Sequence, residues 1–236
     1  MASFQKMPRR LCLEDIRDMK ISFSQHGEDL LLMEHLFAYR KNSKKGIYID
    51  AGCYDPFLFS NTRLLNLHGW TGINIDAAND VVSKYNLHRP LDHNVCAALS
   101  DQVEERRFIG EIGTATRRLL GKEEENTFEI RKTENVRTLT LAAVLDASPF
   151  RNETIDLLDI DCELNDLAVL RGFPFDRKRP VIICIEAHAA DEAEACRQAL
   201  DANGYMKIAT RGPTHFYRDK ASVPNGLPWY ARIAEL

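Results

Sequence analysis

The sequence lacks several features that would assign it to a protein class at once. No apolar run approaches the roughly 18 residues of a membrane span, and the amino-terminal residues lack the apolar core of a signal peptide. The six cysteines show no C-x-x-C spacing, which argues against a zinc site or a disulfide framework. A formal charge of −4 gives no electrostatic reason to expect nucleic acid as a partner. These absences favour a reduced, cytoplasmic protein.

The composition is that of an ordinary globular protein. The chain has 236 residues, of which 44% are hydrophobic and 28% are charged. Neither an internal repeat nor a linker divides it, so we predict one domain over residues 1–236. Within this domain, residues 1–20 are expected to form an amino-terminal extension. The charged and poorly periodic residues 102–137 are expected to form an insertion on the substrate side.

One stretch organises the rest of the chain, namely G-I-Y-I-D-A-G-C-Y-D-P at residues 46–56. Alternating apolar residues end at Asp50, and a turn of small residues follows around Gly52. A first parallel strand delivers a cofactor loop in this way, and glycine allows close approach of the backbone to a ligand. Because only one glycine is present, the stretch is not the G-x-G-x-x-G dinucleotide fingerprint.

Strands alternate with helices along most of the chain, which predicts an α/β fold with a doubly wound, mostly parallel sheet. The last two strands lie close in sequence and are predicted to pair antiparallel. An edge strand is expected around Phe108. The main strands are predicted at residues 46–50, 71–76, 93–99, 155–161, 181–188, 205–209 and 215–218. Helices are predicted after Ser24 and at residues 61–68, 139–145, 163–170 and 191–203.

Polar residues stand at the carboxyl end of each predicted parallel strand, where open α/β sheets bind ligands. An acid that ends the second strand, roughly 20 residues after the first loop, suits a ribose diol. Any one of these residues could instead be a turn or cap residue, but five strand ends in register favour a site. The strand-end residues are Asp50, Asp76, Ser100 with Asp101, Asp161, and Glu186 with His188.

Several blocks of the sequence resemble the FkbM family of S-adenosylmethionine-dependent methyltransferases. In chain order they are S-Q-H-G-E-D-L at 24–30, I-D-A-G-C-Y-D-P at 49–56, S-N-T at 60–62, G-W-T-G-I-N-I-D at 69–76, A-L-S-D at 98–101, T-L at 138–139, I-D-L-L-D-I-D-C-E at 155–163 and R-P-V-I-I-C-I-E-A-H at 179–188. The resemblance implies a single Rossmann-like methyltransferase sheet, usually of seven strands with an antiparallel last one. It also implies O-methylation of small molecules, sugars and glycan precursors.

The resemblance implies roles for residues in the matching blocks. Asp50 and Gly52 would meet the amino acid end of S-adenosylmethionine, and Asp76 its ribose hydroxyls. Ser100 and Asp101 would lie near the adenine. Further cofactor residues implied by the blocks are Gln25, Asn61 and Asp161. Gln25 and Asp29 belong to a block that forms a lid or, alternatively, only caps a helix.

The turn after the fourth strand departs from the family pattern. Glu163 and Leu164 stand where a glycine-containing turn is common, and Asp159 replaces a lysine or serine. For this reason the family's catalytic base is not carried over to this chain.

Two chemistries are open for activating the acceptor hydroxyl. Asp161, Glu186 and His188, joined by Glu163, could bind a divalent cation such as Mg²⁺, Mn²⁺ or Fe²⁺, as catechol-type O-methyltransferases do at these strand ends. Alternatively, His188 acts as a general base without metal and Asp161 holds the cofactor. The candidate catalytic residues are therefore His188, Asp161 and Glu163.

Three functions agree with the sequence. The first is O-methylation of a sugar, nucleotide-sugar or glycan-precursor hydroxyl, and the second is methylation of a polyketide or phosphoramidate-type acceptor. The third is a cofactor-binding module without catalysis. The oligomeric state is open, and a homo-oligomer is one possibility.

Overall fold

The computed structural model describes residues 20–39, 45–111, 113–121 and 133–222. The predicted extension at residues 1–20 lies outside this part except for Lys20. In chain order the helices and strands are α1 (Glu28–Tyr39), β1 (Ile47–Ala51), α2 (Arg63–Leu67), β2 (Thr71–Asp76), α3 (Asn79–His88), β3 (His93–Cys96), β4 (Ala98–Leu99), β5 (Glu105–Ile109), β6 (Arg118–Leu119), β7 (Thr133–Leu139), α4 (Leu141–Ala147), β8 (Leu157–Ile160), α5 (Asp166–Arg171), β9 (Ile182–Glu186), α6 (Ala190–Ala202), β10 (Tyr205–Arg211) and β11 (Thr214–Asp219).

Seven strands form the central sheet, in the order β10-β11-β9-β8-β1-β2-β3. Strands β9, β8, β1, β2 and β3 pair in parallel, while β11 pairs antiparallel with both β9 and β10. The predicted mostly parallel sheet with an antiparallel carboxyl-terminal strand is confirmed. Asp50 on β1 is in register with Asp159 on β8, so two acidic side chains meet in the middle of the sheet.

The central strands are apolar because helices cover both faces of the sheet. Every residue of β8 and β9 is buried. One face packs against α4, α5 and α6 through residues such as Leu145, Leu170 and Leu200. The other face packs against α1 through Leu32 and Leu36. Among the described helices, none is long and apolar enough to cross a membrane.

A second, smaller sheet has the strand order β4-β7-β5-β6. The continuous third strand predicted at residues 93–99 is wrong, because the chain changes sheets within it. The N–H of Ala97 donates to the carbonyl of Asp76 at 2.9 Å, and Ala98 and Leu99 then pair with β7. The predicted insertion at residues 102–137 supplies most of this sheet. The strand around Phe108, β5, is not the predicted edge strand, because it pairs with β7 on one side and with β6 on the other.

Of the helix starts that differ from the prediction, two are set by local side chains and backbone angles. The helix predicted at 139–145 begins at Leu141, since Oγ1 of Thr140 accepts a hydrogen bond from the N–H of Ala143 at 3.1 Å. The helix predicted at 163–170 begins only at Asp166, after a left-handed turn.

Helix α3 (Asn79–His88) was not predicted. Its polar sequence N-D-V-V-S-K-Y-N-L-H buries only Val81, Val82 and Tyr85, too few apolar residues to give a clear helical period.

Candidate active site

The parallel strands end at one edge of the central sheet, and the loops that follow them build the candidate site. The loop after β1 turns at Gly52, whose φ of +88° lies in the left-handed region. The N–H groups of Gly52 and Cys53 donate to the carbonyl of Ile75 at 2.9 and 3.2 Å. A Cβ at Gly52 would stand 1.7 Å from the carbonyl oxygen of Asp161. The loop is therefore seated between the ends of β2 and β8.

A cavity with about 580 Å³ of empty space opens beside this loop. Its walls come from the ends of β1, β2 and β8, from residues 97–99 and from the second sheet. Polar residues that line it include Tyr54, Asp76, Arg117, Arg118, Asp161, Glu163 and Asn165.

Of the predicted cofactor residues, Gly52, Asp76 and Asp161 line this cavity. Oδ1 of Asp76 accepts a hydrogen bond from the N–H of Ala78 at 2.7 Å, and Oδ2 accepts one from the N–H of Tyr54 at 3.3 Å. Burial raises the pKa of Asp76, partly offset by these two bonds. The carboxylate is thus held in one orientation at the cavity wall, where it can accept hydrogen bonds from hydroxyl groups.

Asp50 and Asn61 lie behind the loop and are not among the residues that line the cavity. Oδ2 of Asp50 accepts a hydrogen bond from Oγ1 of Thr62 at 2.5 Å, and Arg89 donates to the same hydroxyl at 2.8 Å. Burial raises the pKa of Asp50 to about 6. Nδ2 of Asn61 donates to Asp159 at 3.3 Å. Asp50 and Asn61 are therefore placed to support the loop after β1 from behind.

Ser100 and Asp101 lie next to the cavity wall formed by residues 97–99. Ser100 is buried, and its hydroxyl donates to Oδ1 of Asp101 at 3.3 Å. Neither side chain lines the cavity, whereas Ala97, Ala98 and Leu99 do.

The two predicted lid residues have different environments. Gln25 is exposed just before α1. Asp29 is fully buried, and its carboxylate accepts hydrogen bonds from the N–H of Phe23 at 2.7 Å and from Oγ of Ser24 at 2.9 Å. Ser24 in turn accepts a hydrogen bond from the N–H of Asp29 at 3.2 Å. For Asp29, these contacts favour the capping alternative.

An acidic and imidazole cluster lies across the ends of β8 and β9. One ligand atom each of Glu163, Glu186 and His188 lies within 4.8 Å of the others. Nε2 of His188 is 3.0 Å from Oε2 of Glu186. Asp161 forms a hydrogen bond with Glu186, and desolvation together with the charge of Glu186 raises the pKa of Asp161 well above its usual range. Asp161 therefore holds a proton toward Glu186, and the pair links the cavity to the cluster.

The backbone of the cluster is strained at the turn after β8. Glu163 has a φ of +49° and Leu164 a φ of +68°, both in the left-handed region that disfavours residues with a side chain. These are the positions at which the sequence departs from a glycine-containing turn. Glu163 lines the cavity, so one of the two strained residues also places a carboxylate at the site.

Residues of the second sheet and of the β1 loop complete the cavity, although none of them stands out in the sequence as a site residue. Nη1 of Arg117 donates to Asp80 at 2.8 Å, and its guanidinium lies 5.1 Å from the ring centroid of Phe108. Arg118 and Tyr54 are further lining residues. Their only sequence signal was their place in the insertion or beside the glycine turn.

The family model described as the methyltransferase FkbM domain matches residues 50–207. Among solved structures, the chain is similar to a TehB-like SAM-dependent methyltransferase from Corynebacterium glutamicum ATCC 13032 Kitasato, with 12% identity and a TM-score of 0.40. That match covers 83% of this chain and 88% of the other. No curated protein sequence matches the chain.

Proposed function

The chain belongs to the FkbM methyltransferase family, and from this membership we propose that it transfers the methyl group of S-adenosylmethionine to a hydroxyl of a sugar, nucleotide-sugar or glycan-precursor acceptor. The observation that carries the proposal is the contact between two parts of the site. Asp161 lines the cavity beside the β1 loop, and it is also hydrogen-bonded to Glu186 of the cluster. A donor in the cavity and an acceptor at the cluster would therefore be neighbours.

We assign the cavity to the methyl donor. Asp76 would accept hydrogen bonds from the ribose hydroxyls, and the apolar segment 97–99 would face the adenine. Gly52 would let the methionine portion pass close to the β1 loop. Asp50, Asn61, Ser100 and Asp101 are proposed to act through the loops that they hold, and Gln25 through the entry to the site.

Methyl transfer is an in-line displacement, so the protein has to align the acceptor oxygen with the methyl group and take up its proton. His188 is the proposed general base, because an imidazole can exchange a proton near neutral pH. Its contact with Glu186 would orient the ring. Glu163 and Asp161 complete the polar wall on the acceptor side.

A divalent cation at the cluster is the alternative to His188 as the base, because an imidazole nitrogen that binds a cation cannot also accept the proton. Glu163, Glu186 and His188 offer carboxylate oxygens and an imidazole nitrogen, a donor set that fits Mg²⁺, Mn²⁺ or Fe²⁺. When bound there, such a cation would lower the pKa of the acceptor hydroxyl. Asp161 would remain on the cavity side, next to Glu186.

Calorimetric titration with S-adenosylmethionine tests the donor assignment. Asp76→Ala should weaken binding by about tenfold or more, because it removes a charged hydrogen-bond acceptor. Asp146→Ala is the matched control, since Asp146 is an exposed acid paired with Arg177 away from the cavity. Release of S-adenosylhomocysteine in the presence of hydroxylated sugars and nucleotide sugars tests the reaction. No donor binding by the wild-type protein, or equal binding by both variants, would contradict the proposal.

A further inference from the structure

A second depression, separate from the cavity, lies at the end of β9. It holds about 740 Å³ of empty space between the end of β9, the start of α6 and the hairpin of β10 and β11. His188 lines this depression, and its ring is also in contact with Glu186. The depression is thus continuous with the cluster that the proposed function assigns to the acceptor.

Basic and imidazole side chains dominate the walls of the depression. Lys207, Arg197, His188 and His215 line it, and Glu194 is the only acidic residue among the lining residues. Arg197 neutralises Glu194 through two hydrogen bonds of 2.7 Å. The side chains of Asp191 and Glu192, although they are near in sequence, line a different depression beside α5.

Lys207 and His215 face the depression from the two strands of the hairpin. Within the described part of the chain, Lys207 is in no ion pair. Desolvation lowers the pKa of both side chains, and the charge of Lys207 adds to the shift at His215. An anion placed between the two side chains would raise both pKa values and so reverse these shifts.

Tyr217 adds a hydroxyl donor. It pairs with Lys207 across the hairpin and lines the same depression. Its side chain is 1% exposed, and its hydroxyl has no hydrogen-bond partner among the residues described. Burial raises the pKa of Tyr217 to about 12, so the hydroxyl keeps its proton and can donate it. A buried hydroxyl without a partner is costly, and a ligand oxygen would satisfy it.

We propose that this depression binds a phosphate group of the acceptor, held by Lys207, His215 and the Tyr217 hydroxyl, so that the acceptor class is a phosphorylated sugar. The inference rests on the proposed function, because it places the acceptor beside His188. The start of α6 supports it, since the residue before the helix, Ala189, has no side-chain oxygen to cap the first N–H groups. A phosphate on one side of His188 would leave a sugar hydroxyl to face the cluster.

Binding of glucose 1-phosphate, UDP-glucose, glucuronate and glucose, each measured by calorimetry in the presence of S-adenosylhomocysteine, tests the inference. We expect glucose 1-phosphate or UDP-glucose to bind at least tenfold more tightly than glucose and glucuronate. Whichever of the two binds more tightly tells a monophosphate site from a diphosphate site. Equal binding of all four probes overturns the inference, and so does tighter binding of glucuronate.

The variants Lys207→Gln and His215→Gln test whether these two side chains bind the phosphate group. Each should lower the affinity for the phosphate probe by about tenfold or more, because each removes a charge-assisted hydrogen bond. Neither should change the affinity for S-adenosylmethionine. Lys178→Gln is the control, because Lys178 lies before β9 at the opposite edge of the sheet and donates to the carbonyl of Glu153. Unchanged phosphate binding in both test variants overturns the phosphate site and leaves the donor site standing. If the wild-type protein does not bind S-adenosylmethionine, the proposed function is overturned instead.

Discussion

The carbonyl oxygen of Asp161 occupies the space that a side chain at Gly52 would need, 1.7 Å from the position of its Cβ. The two residues follow neighbouring parallel strands, β1 and β8. Gly52 also has a φ of +88°, so both its backbone angle and its surroundings exclude a side chain. The contact sets the spacing between the cofactor loop and the strand end that carries Asp161.

Gly52→Ala is therefore expected to destabilise the protein beyond the cost of the backbone angle alone. The control is Gly27→Ala, because Gly27 has a similar φ of +80° and nothing within 4 Å of its Cβ position. The control should lose about 1–2 kcal/mol in the free energy of unfolding, the usual cost of a left-handed residue with a side chain. Gly52→Ala should lose more and should also weaken S-adenosylmethionine binding. Urea unfolding and calorimetry measure the two effects, and equal losses in the two variants would show that the close contact is not critical.

The left-handed pair Glu163 and Leu164 gives a second prediction. Replacing either residue by glycine should stabilise the protein by about 1 kcal/mol, because the strain of the turn is relieved. Only Glu163→Gly should lower the rate of methyl transfer, by about a hundredfold if its carboxylate takes part in the chemistry. Leu164→Gly is the matched control, since it relaxes the same turn and keeps the carboxylate. Full activity of Glu163→Gly would remove Glu163 from the catalytic residues.

Metal binding can be tested without an activity assay. If Glu163, Glu186 and His188 bind a divalent cation, saturating Mn²⁺ should raise the melting temperature of the wild-type protein by a few degrees. Glu186→Gln should abolish this rise, whereas Glu34→Gln, an exposed residue on α1, should retain it. An unchanged melting temperature, together with full activity in chelator, would leave His188 as the base in a metal-free reaction.

The positions of the main strands along the chain and the strand-end acids could be predicted because both depend on local sequence. Apolar runs such as V-I-I-C-I mark buried strands, and an acid such as Asp76 stands out where such a run ends. The glycine-containing turn that the family pattern favours was also informative. The two residues that replace it, Glu163 and Leu164, are the ones with left-handed backbone angles.

The sequence did not allow a prediction of which residues cover the cavity or of whether each strand-end side chain faces it. Phe108, Arg117 and Arg118 reach the cavity through pairing between β5, β6 and β7, of which β6 has only two residues. Periodicity carries little information for strands of two residues. A strand-end position also does not tell whether a side chain faces the cavity, as Asp76 does, or points behind the loop, as Asp50 does.

The buried position of Asp50 leads to a prediction about pH. Its pKa is raised to about 6 in the folded protein, so the folded state holds a proton that the unfolded chain has already released. The contribution of Asp50 to stability is therefore greatest at acidic pH and falls as the pH rises from about 4 to about 6, by about 3 kcal/mol in total.

Asp50→Asn removes this ionisation. Relative to the wild-type protein, the variant should gain free energy of unfolding as the pH rises from about 4 to about 7, measured by urea unfolding without cofactor. Asp146→Asn should show no such trend over this range, because hydrogen bonds from Arg177 lower the pKa of Asp146, and the contribution of its charged form is already complete above the unfolded pKa of roughly 3.9. Its overall effect on stability should be small, since the pair is exposed to solvent. A constant difference between wild type and Asp50→Asn across this range would mean that the carboxylate is charged in the folded protein at every pH tested. In that case Arg89 and Thr62 would compensate its burial fully.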